Sequence, residues 1–247
     1  MYIFFRFAWV YSPIFVTFVD DNMTYMAKNR WIWRRLNSQG YGVQSPNDFY
    51  FVQHVLREKA SYYAYATLEE TARSVGDGMP SYPEEVDRLL FRVANHVHPA
   101  TIVELGAGTS VFALAMACPT AQCVAVTASE ACAKAMDERD AHRRVEVKKG
   151  DEMALFEQQL AKWGGVGMVH VAHTPHYREA VLETLAYADD RTVMVIGGLR
   201  ESKEKLAWWN RLRDDSMTGT CYDLGNVGIV FLDRSRYKQV YWINIRK

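Results

Sequence analysis

From Thr101 to Arg213 the chain alternates short apolar runs with longer amphipathic segments, and this rhythm constrains the fold more than any other feature. The runs 101–105, 122–127, 144–148, 166–172 and 191–196 have the length and β-branched content of buried strands. Helical spacing fills the segments between them, near 109–117, 129–141, 151–162, 176–187 and 201–213. Strands that alternate with helices make a parallel sheet with crossover helices, so the expected class is α/β, doubly wound and Rossmann-like. The rhythm changes after residue 214. Thr220–Leu224, a Gly225-Asn226 turn, Val227–Leu232 and Gln239–Ile243 read as an antiparallel hairpin and a last strand.

Ahead of the sheet, Ser45-Pro46 is a cap and first-turn proline for a helix over 46–59, with Phe49, Phe51, Val52, Val55 and Leu56 on its apolar positions. A weakly patterned stretch broken by Gly76, Gly78, Pro80 and Pro83 leads into a helix over 84–97. The expected organisation is an apolar leader (1–25), a helical extension (26–83) and the sheet domain (84–247). Residues 2–19 are nearly all apolar but are interrupted by Arg6, Ser12 and Pro13, at the lower limit of a membrane-spanning length. Membrane contact is therefore expected only there. A native start at Met26 or nearby is the competing account, since a basic, aromatic helix-like stretch follows it (Lys28, Arg30, Trp31, Trp33, Arg34, Arg35).

The first run ends in Glu104-Leu-Gly106-Ala107-Gly108-Thr109-Ser110. Gly106 and Gly108 allow a tight turn and a close approach to bare backbone, and the next helix aims its N–H groups and positive dipole end at that place. Dinucleotide sites carry a third glycine where Val111 stands here. A carboxylate two residues before the first glycine also suits a cationic ligand better than a diphosphate.

The balance of 29 Lys plus Arg against 29 Asp plus Glu gives no global attraction to nucleic acid, so a small-molecule partner is expected. Cys118, Cys123, Cys132 and Cys221 form no CxxC pair and read as buried, reduced thiols in a cytoplasmic protein.

The string VELGAGTS, followed by five βα units and a closing hairpin, resembles class I S-adenosylmethionine-dependent methyltransferases over residues 84–247. The stretch from Asp189 to Ile243 is similar to the end of small O-methyltransferase-like bacterial proteins, and Gly40–Pro46 looks like the Gly-x-His-Ser-Pro-Phe signature of one bacterial branch, with Gln44 for histidine and Asn47 for phenylalanine. A turn and helix start that merely caps the sheet is the favoured account of that segment. The resemblance implies S-adenosylmethionine as cofactor, with Glu104, Gly106, Ala107, Gly108, Thr109 and Ser110 at its methionine part. It places Thr127 where relatives hold the ribose with an acid, and Asp151 near the adenine, although Asp151 is equally a helix N-cap.

The resemblance also shows what is missing. Ala172 stands where small O-methyltransferases carry an acid after the fourth strand, and Gly197-Gly198 where metal-dependent relatives carry two acidic or amide residues. No metal site is expected, because a hard cation needs carboxylate oxygens. His173, His176 and Tyr177, past the end of the fourth strand, are the candidate catalytic groups, a histidine there acting as general base on a hydroxyl or amine acceptor. Loop or cap roles are the alternative for each. Alternation along the strand puts His170 in the core.

Three function classes stay open: a metal-independent methyltransferase acting on a small molecule, a non-catalytic relative serving as a binding or scaffold protein, and a nicotinamide-dependent oxidoreductase. The last is disfavoured by Val111 and by the hairpin. Trp31, Trp33, Tyr41, Phe49, Tyr50 and Phe51 are either a lid over an apolar acceptor or the core between the extension and the sheet, and the apolar N-terminal helices can supply a homodimer seam.

Overall fold

A computed structural model describes residues 30–75, 78–140, 144–233, 235 and 237–245. The expectations about a leader, a start at Met26 and membrane contact fall on residues outside the described ones. Among the described residues, no helix is long and apolar enough to cross a membrane.

The extension forms α1 (Arg30–Ser38), α2 (Pro46–Phe51), which runs on into a π-helical turn over Val52–Leu56, and α3 (Ala64–Val75). The alternating region follows in the expected order: α4 (Glu84–Val97), β1 (Thr101–Leu105), α5 (Ser110–Ala117), β2 (Gln122–Thr127), α6 (Glu130–Arg139), β3 (Val145–Lys149), α7 (Glu152–Trp163), β4 (Met168–Val171), α8 (Tyr177–Tyr187), β5 (Val193–Ile196) and α9 (Lys203–Asp214). The tail supplies β6 (Cys221–Asp223), β7 (Gly228–Phe231) and β8 (Val240–Trp242).

These strands make one sheet in the order β3-β2-β1-β4-β5-β7-β6-β8. β1 to β5 are parallel, with Leu105 beside Val126 and Val171, and Val171 beside Ile196, so their carboxyl ends lie level. β7 runs antiparallel between β5 and β6, and Leu224 N–H bonds Val227 O across the Gly225-Asn226 turn, as the hairpin pattern predicts. The order reverses between β1 and β4, which in open α/β sheets is where ligands bind, outside the carboxyl ends.

Side chains alternate across the sheet and feed two cores. Ile102, Ala125, Met168, Val195 and Tyr222 face a layer holding α2, α3, α4 and α5. Val103, Leu105, Val169, Val171 and Ile196 face Phe156, Leu160, Val181 and Trp209 of α7, α8 and α9. All four cysteines are free and buried, and burial raises the pKa of each thiol.

Three expectations change in detail. The fourth and fifth strands begin two residues late, because Gly167 N–H donates to Thr101 Oγ1 (2.9 Å) and Thr192 Oγ1 donates to Val166 O (2.7 Å), which ties down their lead-ins with side chains. The helix expected over 46–59 stops at Leu56, where the buried Arg92 guanidinium takes the carbonyls of Val55 (2.7 Å) and Leu56 (3.2 Å). α3 was not expected, since only Ala64, Tyr65 and Leu68 anchor it in the core.

The six aromatic residues expected as a lid or as core divide by exposure. Trp31, Tyr41, Phe49 and Tyr50 are exposed, Trp33 is half-buried and Phe51 is buried.

Candidate active site

The turn after β1 is held by Glu104. Its Oε1 accepts from the Gly108 N–H (2.8 Å) and from the Ser110 hydroxyl (3.0 Å), and its Oε2 lies 2.8 Å from His170 Nδ1. Glu104 and His170 are both completely buried. Glu104 thus shapes the turn from beneath, and both of its oxygens are engaged there instead of facing a ligand. His170 is the core residue that strand alternation predicts, with an assigned partner for one nitrogen; its Nε2 meets none among the described residues.

The chain itself covers the upper side of the turn. A Cβ on Gly106, which sits at φ +70°, would lie 2.6 Å from the carbonyl carbon of His173, and one on Gly108 would overlap the Pro80 carbonyl oxygen. Thr109 N–H donates to that same Pro80 oxygen (3.0 Å), and His173 N–H donates to Gly106 O (3.0 Å). Both glycines therefore permit close backbone packing within the protein. As a result Gly106, Ala107, Gly108, Thr109 and Ser110 are all buried.

Tyr82, from the stretch before α4, extends this cover. Its ring stacks on His173 (centroids 4.1 Å apart, planes at 23°), and its hydroxyl lies where a Cβ on Gly197 would be. Glu201 fills the corresponding space at Gly198 and pairs with the buried Lys205 (3.0 Å), whose Nζ stands 5.2 Å from the Tyr177 ring centre. The places after β5 where metal-dependent relatives would carry ligands are thus taken by a phenol and by a carboxylate rooted in the next loop.

The loops after β2 and β4 are bridged as well. Glu152, at the start of α7, accepts from Ala128 N–H after β2 (3.1 Å) and from the Thr174 hydroxyl after β4 (2.7 Å). Since β1 lies between β2 and β4, this carboxylate crosses the switch-point crevice. Thr127 is buried and its hydroxyl accepts from Ser129 N–H (3.1 Å), which makes it a turn residue here. Asp151 is exposed and caps α7 by accepting from Ala154 N–H (3.0 Å), the second of the two roles open to it.

The three candidate catalytic residues separate. His176 is exposed and precedes α8, and Tyr177 begins that helix with its ring against Trp208 (4.8 Å). Only His173 adjoins the glycine turn. Its Nε2 is buried and meets no partner among the described residues, as is true of the Tyr82 hydroxyl and of Asp87 Oδ1. Burial lowers the pKa of His173 against the opposing pull of Glu104, so its imidazole is neutral near pH 7. Burial, reinforced by Glu201 and Glu104, pushes the Tyr82 phenol upward, and burial together with Glu104 pushes Asp87 up to about 7 against the Thr109 hydrogen bond.

Tyr82, Pro80, Glu152 and Glu201 were not among the expected site residues. Tyr82 and Pro80 lie in a stretch without periodicity, and Glu152 reads as an ordinary first-turn acid. The one available signal was the absence of side chains at Gly197 and Gly198, which leaves room for something from elsewhere.

No protein-family model and no curated protein matches the chain. Solved structures do. An O-methyltransferase from Bacillus cereus in complex with S-adenosylhomocysteine superposes with a TM-score of 0.55 at 18% identity, over 73% of this chain and 95% of that one. The O-methyltransferase TomG from Streptomyces achromogenes, in complex with S-adenosylmethionine, gives 0.53 at 18% identity over 70% and 91%. The Podospora anserina methyltransferase PaMTH1, bound to S-adenosylhomocysteine, gives 0.53 at 16% identity over 79% and 97%. These superpositions, the strand order and the closing hairpin agree: the chain has the class I S-adenosylmethionine-dependent methyltransferase fold.

Proposed function

We propose that the chain is an S-adenosylmethionine-dependent methyltransferase that acts on a small-molecule hydroxyl or amine without a metal ion. The observation that carries this reading is His173. It is a neutral, half-buried imidazole whose buried Nε2 meets no partner among the described residues, at the carboxyl end of β4 and directly against the glycine turn. Such a nitrogen can take the proton that an acceptor loses as it attacks. When bound, the methyl donor supplies an electrophilic methyl group on a sulfonium.

The turn backbone from Gly106 to Ser110 fits the methionine end of that donor once Pro80 and Tyr82 withdraw, and the nucleoside end requires Glu152 to release Thr174. Metal independence is supported by the donor set, since Ala172, Gly197 and Gly198 offer no carboxylate and the one that reaches Gly198, Glu201, is paired with Lys205 (3.0 Å). Among the described residues no three His, Cys, Asp or Glu side chains converge to hold an ion.

Calorimetric titration with S-adenosylmethionine tests the reading, followed by measurement of S-adenosylhomocysteine released with a panel of phenols and amines. Donor binding in the wild type, with release abolished and binding retained in His173→Ala, supports it. The covered crevice favours a second reading, a non-catalytic protein that keeps the fold. That reading stands if neither the wild type nor Tyr82→Ala takes up the donor at millimolar concentration.

A further inference from the structure

A cavity lies at the opposite ends of the strands from the glycine turn. Asn47, Asp48, Tyr50, Phe51, His96, Tyr222 and Phe231 line a space of about 220 Å³. Phe231 pairs with Val193, the first residue of β5, so this space opens toward the amino ends of the strands, away from the glycine turn. It is smaller than the roughly 300 to 1,000 Å³ that encloses a drug-sized ligand, which suits one compact group.

Its walls are aromatic. Phe51 lies 4.9 Å from Tyr222, 5.1 Å from Phe231 and 5.3 Å from His96, and Tyr50 lies 5.9 Å from His96. Burial and the neighbouring His98 lower the pKa of His96, which leaves it an uncharged ring at neutral pH. A carboxylate stands in the same cavity: Asp48 is 4% exposed, and the hydroxyls of Tyr222 (2.9 Å) and Tyr241 (3.2 Å) each donate to one of its oxygens. The Ser45-Pro46 start of α2 sets it there, with Ser45 Oγ accepting from the Asp48 N–H (3.3 Å).

Aromatic walls attract a cation through their ring quadrupoles, and a buried negative charge adds to the field. Each Asp48 oxygen already receives a tyrosine hydroxyl, so recognition through charge is favoured over recognition through N–H donation. We propose that this cavity binds a compact alkylated ammonium group, of the choline or trimethyl-lysine kind.

The site is independent of the glycine turn and of the methyltransferase reading. The test is titration of the full chain with choline, followed by saturation-transfer NMR on the methyl protons, beside the uncharged carbon analogue 3,3-dimethylbutan-1-ol. Choline is expected to bind about tenfold more tightly than the analogue, and Tyr50→Ala, at an exposed position, to weaken choline about threefold to fivefold. Asp48→Asn is expected to weaken it about tenfold with the fold intact by circular dichroism. If that variant does not fold, Tyr50→Ala and the analogue decide.

A trimethyl-lysine peptide run in parallel separates the two sources of the group: tighter binding of the peptide assigns the site to a modified protein side chain, and tighter binding of choline to a free metabolite. No transfer signal with either ligand at millimolar excess overturns the proposal, as does equal binding of the neutral analogue or unchanged affinity in Tyr50→Ala.

Discussion

Glu104 Oε2 lies 2.8 Å from His170 Nδ1 across neighbouring parallel strands, and neither side chain reaches solvent. The other oxygen of the same carboxyl group takes the Gly108 N–H and the Ser110 hydroxyl, so one side chain ties the histidine to the turn. The pair fixes β1 against β4 at the level where the glycine turn begins.

Glu104→Ala removes the acceptor for Gly108 N–H, Ser110 and His170 together. The expected loss of stability is about 3 to 5 kcal/mol, a large share of a domain's total, seen as a lower urea midpoint by circular dichroism. Ser110→Ala, which removes a single donor, should cost about 1 kcal/mol.

Tyr82 and Gly197 should behave as one unit. Gly197→Ala puts a methyl group into the Tyr82 hydroxyl and should destabilise the wild type by about 1 to 3 kcal/mol, yet be nearly neutral in a Tyr82→Ala background. Thermal unfolding of the four proteins in the cycle measures this coupling, and additive effects would contradict the placement of Tyr82.

Asp87 gives the protein a signed pH dependence. Its folded pKa of about 7 stands above the ordinary 3.8, so between these values the folded state holds a proton that the unfolded state has released. Its contribution favours folding below pH 4 and is lost as pH rises through 7, by up to on the order of 4 kcal/mol. Asp87→Asn should therefore be more stable than wild type at pH 8, with the gap closing at pH 4, as read from urea midpoints at the two pH values.

Arg34 should contribute at the far edge of the sheet. Its guanidinium donates to Asp223 O (3.1 Å), Ile243 O (2.8 Å) and Asp223 Oδ1 (2.7 Å). Burial works to raise the Asp223 pKa, but the Arg34 hydrogen bond and charge hold it below the ordinary value, so this stabilisation is present at neutral pH and fades as pH falls through the folded pKa. Arg34→Ala should cost about 2 to 4 kcal/mol at pH 7, and less in acid.

The sheet was legible in the sequence because its strands are contiguous apolar runs whose periodicity differs from that of the helices between them. The hairpin was legible because Gly225, at φ +93°, supplies the backbone its turn needs. The site was only half legible. VELGAGTS marked the right strand end, but sequence order does not show that Pro80, Tyr82 and Glu152 converge on it, since each belongs to a different segment and none carries a local pattern. Glu104 illustrates the limit: its position predicted contact with a ligand, whereas its hydrogen bonds go to the turn and to a histidine on the adjoining strand.

β8 forms the outer edge of the sheet and α1 closes over it: Asn37 Oδ1 accepts from Trp242 N–H (3.2 Å) and Ser38 Oγ from Asn244 N–H (2.7 Å), beside the contacts of Arg34. Asn37 and Trp242 stand 205 positions apart in the chain, so α1 finds its docking partner only after every strand between them has been made. Until β8 is made α1 waits undocked, and the backbone edge of β8, a template for pairing with another molecule, gains its cover when the two meet.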